Sequence, residues 1–135
     1  MMDKPIFTVC GSGRAGAAIA ADIALMGFDV KLYELNKFRE SIRPILEKDG
    51  IELTGKTQSR QTGFAKLSKI TVDPREAVEG SDLIMITAPA FGHRAFFEEL
   101  SPYLREGQCI MVNTGYWGLY DWHTFLINRF QMGLR

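Results

Sequence analysis

The sequence predicts a single α/β domain built on a doubly wound parallel sheet. Three observations carry that prediction. Short apolar runs alternate with helix-patterned segments along the 135 residues. A glycine cluster joins the first run to the first helix. Strand, helix and strand then follow within residues 6–35, the length of one βαβ unit.

"IFTVC" (6–10) is an unbroken apolar run, the pattern of a strand buried on both faces. Gly16, Ile19, Ala20, Ile23 and Gly27 recur at helical spacing, so small residues line one helix face and Asp22 falls off it. "DVKLYEL" (29–35) reads as the second strand, made parallel to the first by the right-handed crossover rule. "NKFRESIRPILEKDG" (36–50) offers Asn36 as a cap and places Phe38, Ile42, Ile45 and Leu46 at helical spacing. Pro44 is expected to kink that helix or split it. Residues 51–73 then change character: an alternating "IELTG", a polar "KTQSRQTG" and a β-prone "FAKLSKITVD" predict a small β-hairpin excursion at one edge. Its Lys56, Arg60, Lys66 and Lys69 read either as an anion patch or as a solvated edge guarded against aggregation.

"PREAVEG" (74–80) is a short helix with proline in its first turn. "DLIMITAPA" (82–90) is the next buried strand, stopping at Pro89, and "HRAFFEELSPYL" (93–104) is a helix opened by His93 with Phe96, Leu100 and Leu104 on one side. "QCIMVNTG" (108–115) is another central strand. Leu119, Trp122, Leu126 and Phe130 close the sequence at near-helical spacing. This alternation predicts the strand order 3-2-1-4-5. Cys10 and Cys109 then lie in central strands, as buried reduced thiols with one strand between them. Strands are ~4.8 Å apart, so the pair stands ~10 Å apart and beyond disulfide reach.

Composition narrows the function. Sixteen basic and sixteen acidic residues cancel, which points to neither nucleic acid nor an anionic membrane. No apolar run approaches the ~20 residues of a membrane span. The N-terminus enters "KPIFTVC" without a signal-peptide core, so a cytoplasmic location is expected. No CxxC, histidine cluster, HExxH or Ser-His-Asp spacing supports a metal site or hydrolysis.

Gly11, Ser12, Gly13, Arg14, Ala15 and Gly16 fit G-x-G-x-x-G in the context that gives the pattern meaning: after a strand, at the mouth of a helix, in a Rossmann-type layout. Gly11 permits the sharp turn, Gly13 lets a diphosphate approach the backbone, and Gly16 lets the helix pack closely on the strand. N–H groups of residues about 13–16, with the helix dipole, would hold the diphosphate. Glu34 lies 18 residues after Gly16, at the end of the second strand, where it can accept both hydroxyls of an adenosine ribose. A 2′-phosphate there would meet a like charge, so NAD is favoured over NADP, softened by Lys37 and Arg39 just beyond.

"CGSGRAGAAIAADIALMGFDVKLYE", "GIELTG", "FAKLSKITVDPREAVEGSDLIMITAPAFGH" and "LSPYLREGQCIMVNTGYWG" together resemble the N-terminal domain of the octopine/nopaline (opine) dehydrogenase family, from about Ile6 to Gly118. Ketopantoate reductases and glycerol-3-phosphate dehydrogenases share much of this layout. The resemblance implies NAD(P)H-dependent joining of an amino acid to an α-keto acid. It also implies that Ala88, Pro89 and Ala90 approach the cofactor, and that a second, mostly helical domain carries the proton-transferring histidine and the substrate contacts. That domain is expected to be absent from residues 1–135, so no catalytic residue is carried over. His93 is read as a cap or exposed residue, His123 as structural, and Asn113, Thr114 and Gly115 as possible nicotinamide-side residues. Tyr116, Trp117, Tyr120 and Trp122 read as packing for the second domain, and a homo-oligomer through residues ~115–132 is expected once that surface is bare. A non-catalytic nucleotide-sensing domain, as in potassium-channel regulators, is the competing expectation.

Overall fold

The computed structural model describes residues 3–55, 59 and 61–113. A five-stranded parallel sheet forms its centre. The strands are β1 (Ile6–Cys10), β2 (Asp29–Tyr33), β5 (Lys69–Thr71), β6 (Leu83–Ile86) and β7 (Cys109–Val112), arranged β5-β2-β1-β6-β7. Counted within the sheet, that is the expected order 3-2-1-4-5. β3 (Gly50–Leu53) and β4 (Gly63–Lys66) form a separate antiparallel pair.

Right-handed crossovers distribute the helices over both faces. α1 (Arg14–Leu25) and α2 (Arg39–Lys48) cover one face, where Ala20 and Ile42 meet Val9, Val30 and Leu32. α3 (Pro74–Val78) and α4 (Ala90–Leu100) cover the other, where Val78, Phe96 and Leu100 meet Cys10, Tyr33, Ile84 and Ile86. Asp73 caps α3, its carboxylate accepting from Arg75 N–H at 2.9 Å, one residue before the expected proline. Lys31 reaches the other end of α3 and donates to the carbonyls of Glu76 (2.9 Å) and Glu79, groups that a helix terminus leaves without intrahelical partners.

The β3–β4 pair packs on α1 rather than extending the sheet at an edge as expected. Ala21 of α1 meets Leu53 and Ala65, with Ala24 and Leu25 beside them. α1 is therefore covered on two sides, which is why its apolar positions are so often alanine. The excursion ends at Lys66. Lys69–Thr71, assigned to it from the sequence, is the third strand of the main sheet. Lys66 faces Asp49 at 3.8 Å and Lys69 faces Glu76 at 3.6 Å, so these two cations each have their own carboxylate rather than sharing an anion site. Lys56 and Arg60 lie outside the described residues.

Four further expectations need correction. α2 is not split at Pro44, because both Pro44 and Glu40, whose carbonyl loses its N–H partner, are exposed and water can satisfy the freed group. The break comes earlier, in a 3-10 turn over Asn36–Phe38 that Leu35 precedes, so Asn36 is no cap. α4 begins at Ala90 rather than His93, leaving His93 one turn inside and fully buried. Cys10 is buried as expected, but Cys109 is exposed: β7 is an edge strand of the described sheet. Ile110 and Val112 pack toward α4, while Cys109 and Met111 point to the face that no described helix covers. Among the described residues, no helix is long and apolar enough to cross a membrane.

Candidate dinucleotide site

The order in which strands are added to the sheet reverses between β1 and β6. β1 leads by way of α1 to β2 on one side, while β6 and β7 build outward on the other. Such a switch point opens a crevice at the carboxyl edge of a parallel sheet. Here the crevice is a cleft of about 460 Å³, within the range of small-molecule sites. Its walls come from three connections: Gly11–Gly16 after β1, Glu34–Phe38 after β2, and Thr87–Phe96 after β6.

The glycines of the first connection differ in what surrounds them. Gly11 has φ +112°, a conformation that side-chain-bearing residues rarely adopt, and a Cβ there would also stand 2.8 Å from Thr87 Oγ1. A Cβ on Gly16 would stand 1.9 Å from the Gly11 carbonyl oxygen. Gly13 is the opposite case. No heavy atom lies within 4 Å of its missing Cβ, so its backbone faces open cleft. α1 starts at the next residue, and its first-turn N–H groups have no preceding helical carbonyl to meet. Together with the helix dipole they give this wall a positive character, which exposed Arg14 reinforces.

Thr87 ties the first and third walls together. Its N–H (3.0 Å) and Oγ1 (2.9 Å) both donate to the Cys10 carbonyl, so the end of β6 is clamped to the start of the glycine loop. Sequence reasoning missed it. The usable signal was its place as the first residue beyond β6, at the same edge as the loop.

Glu34 is 6% exposed and stands in the second wall. One carboxylate oxygen accepts from Ser12 N–H and from Ser12 Oγ, both at 2.8 Å, and the other accepts from Leu35 N–H at 2.9 Å. The acidic residue and the middle of the glycine loop are therefore bonded directly. Ser12 itself is turned to Glu34 and is not part of the cleft wall. Lys37 and Phe38 continue this wall outward, the ammonium 5.2 Å from the ring centroid.

On the third wall Ala88 and Pro89 line the cleft, whereas Ala90 does not. Phe91 projects at the mouth with 91% of its surface exposed. His93 lies behind this wall. Its Nε2 is 2.8 Å from the Ala88 carbonyl, which can only accept, so Nε2 carries the proton and the ring holds the Ala88 turn in place. The expected exposed or capping histidine is instead a buried support for a wall residue. Asn113 follows β7, its N–H donating to the Ile86 carbonyl, and is not among the cleft-lining residues. Thr114, Gly115, Tyr116, Trp117, Tyr120, Trp122 and His123 lie outside the described residues.

The arrangement suits a dinucleotide by three independent features: bare amides for a diphosphate, an open glycine that lets it approach, and a carboxylate one strand away for a sugar diol. Among the described residues no cluster of His, Cys, Asp and Glu could hold a metal ion.

No protein-family model matches the chain. An opine dehydrogenase of Haliotis discus hannai is 30% identical over 123 residues, 85% of this chain and 30% of that protein. An opine dehydrogenase of Arthrobacter sp. (strain 1C) is 31% identical over 115 residues, again 85% of this chain and 31% of that protein. In fold, the chain is similar to a solved octopine dehydrogenase complexed with NADH and L-arginine, with a TM-score of 0.69, at 24% identity over 81% of this chain and 28% of that one. The chain thus spans about 30% of the length of the curated relatives it matches.

Proposed function

We propose that this chain, a homologue of the opine dehydrogenases across 85% of its own length, is an NAD(H)-binding domain of an oxidoreductase of that type. The observation that carries the reading is the meeting, at one topological switch point, of the bare α1 terminus, the open Gly13 and the carboxylate of Glu34. Amides of Gly13, Arg14, Ala15 and Gly16 would hold the diphosphate, with Arg14 adding charge. Glu34 would take the adenosine ribose, and Ala88, Pro89 and Ala90 would run alongside the cofactor. The nicotinamide, when bound, supplies hydride transfer for the reductive joining of an amino acid to an α-keto acid. The chain's own residues bind and orient it.

Substrate contacts and proton transfer are assigned to a further domain. In support, the relatives are more than three times as long as the stretch matched here. Residues 1–135 alone should therefore bind NADH and turn over little. The same reading takes the protein as cytoplasmic and as a homo-oligomer associating through residues ~115–132, which light scattering at micromolar concentration would test.

Calorimetric titration with NADH, NADPH, ATP and ADP tests the cofactor. NADH should bind tightest, with NADPH weaker by roughly tenfold, about 1.4 kcal/mol for the like charge that a 2′-phosphate brings to Glu34. Equal binding of ATP and NADH would replace the dehydrogenase reading with a nucleotide sensor. Substantial turnover by residues 1–135 with NADH, an amino acid and pyruvate would place the substrate groups in this chain.

A further inference from the structure

Three donors already converge on Glu34: Ser12 N–H and Ser12 Oγ on one oxygen, and Leu35 N–H on the other. An ionised carboxylate offers about four lone-pair sites, so one acceptor site remains, on the oxygen held by Leu35. An adenosine ribose in NADH brings two hydroxyl donors, its 2′- and 3′-OH. Both cannot be accepted unless one present donor leaves. Two of the three are main-chain N–H groups with no freedom to move. Leu35 N–H is fixed where the chain leaves β2. Ser12 N–H is fixed in a loop whose flanking Gly11 and Gly16 press against Thr87. Ser12 Oγ alone can turn away by rotation about a single bond.

We propose that the Ser12 hydroxyl competes with the adenosine ribose for Glu34 and thereby narrows the preference of the site for NADH over NADPH. The inference rests on the reading of Glu34 as the ribose ligand. In the free protein the Ser12 hydroxyl satisfies the carboxylate, and binding of NADH must displace it. NADPH carries a phosphate in place of the 2′-OH and brings one donor, the 3′-OH, for which the open site suffices. Ser12 thus works against NADH and leaves NADPH untouched. It is a specificity-determining residue that acts through Glu34.

The test is Ser12→Ala in the full chain, titrated with NADH, NADPH and 2′-deoxy-NADH by nucleotide fluorescence. Asp49 is the one non-glycine residue with positive φ among those described, so Ser12 holds a backbone conformation alanine adopts freely. The expected result is a three- to tenfold lower Kd for NADH, with NADPH and 2′-deoxy-NADH changed by less than twofold. A second readout is thermal: the variant should melt below wild type when free and level with it when saturated with NADH. An unchanged or higher Kd for NADH overturns the inference, as does equal tightening of all three nucleotides. Should the variant not fold, wild type alone decides. Competition predicts that removing the 2′-OH costs less than about threefold, and any larger loss overturns it. A wild-type protein that binds no NADH overturns the cofactor assignment itself. Wild-type binding with a silent Ser12→Ala overturns only the competition.

Discussion

A Cβ on Gly16 would stand 1.9 Å from the carbonyl oxygen of Gly11. The two glycines that bracket the loop are in backbone contact, and nothing but hydrogen fits between them. Gly16→Ala should push the loop off α1, with a loss of ~2 kcal/mol or more, about 6 °C in a domain of this size. NADH binding should disappear with it. Thermal melting and nucleotide titration check both, and a variant retaining wild-type melting and affinity would show the loop free to adapt.

Gly13→Ala separates binding from stability. Its backbone (φ −70°, ψ −175°) suits any residue, and the methyl would enter empty space. Alanine is a poorer helix cap than glycine, so a loss below about 1 kcal/mol is expected. NADH affinity should nevertheless fall at least ~10-fold, because the methyl stands where the diphosphate must come close. Unchanged affinity would move the diphosphate elsewhere.

Alkaline stability should be limited by Cys10 and Tyr33. Burial pushes the Cys10 thiol far above its ordinary value, with the Glu34 charge adding to the effect. Burial likewise raises the Tyr33 phenol, helped by Cys10 and nearby carboxylates. The folded state keeps both protonated after the unfolded chain has lost those protons. The stability they contribute is therefore complete below pH 9 and falls as pH rises through 9 and 10, on the order of 1 kcal/mol per pH unit for each group. Urea midpoints from pH 8 to pH 10.5 measure this. Cys10→Ala should start less stable but lose less over that range, and a slope equal to wild type would remove Cys10 as a cause.

The two thiols should differ sharply in reactivity. Cys109 is exposed and Cys10 is buried, so a thiol reagent under native conditions should modify Cys109 rapidly and Cys10 only after denaturation. Mass spectrometry after timed labelling reads the sites. Equal rates would mean that the β1 core opens on the timescale of labelling.

Local chemistry announced much of this domain. The glycine spacing, the proline opening α3 and the unbroken apolar runs each report a constraint acting within a few residues, and β1, α1, β2, α3 and the sheet order follow from them. Tertiary neighbours decided the rest. Cys109 and Ile110 are adjacent in an apolar run, yet only one faces α4, because coverage of an edge strand depends on elements far away in sequence. Pro44 sits within an intact helix because its face is exposed, and no local rule reports exposure. At the site, the spacing from Gly16 identified Glu34 but could not show that its carboxylate is already bonded to Ser12. Nor could the sequence show that His93 lies buried against the Ala88 carbonyl.

The β3–β4 pair on the outer side of α1 bears on how the amides of that helix do their work. A helix wedged between a sheet and a second ribbon cannot pivot, so its N-terminus is aimed before any nucleotide arrives. The entropy of aiming it is lost once, during folding, and is not charged again at each encounter. β3 and β4, which contribute no residue to the cleft wall, are in this sense a mounting bracket. Shortening them should loosen the grip on a diphosphate without altering a single group that touches it.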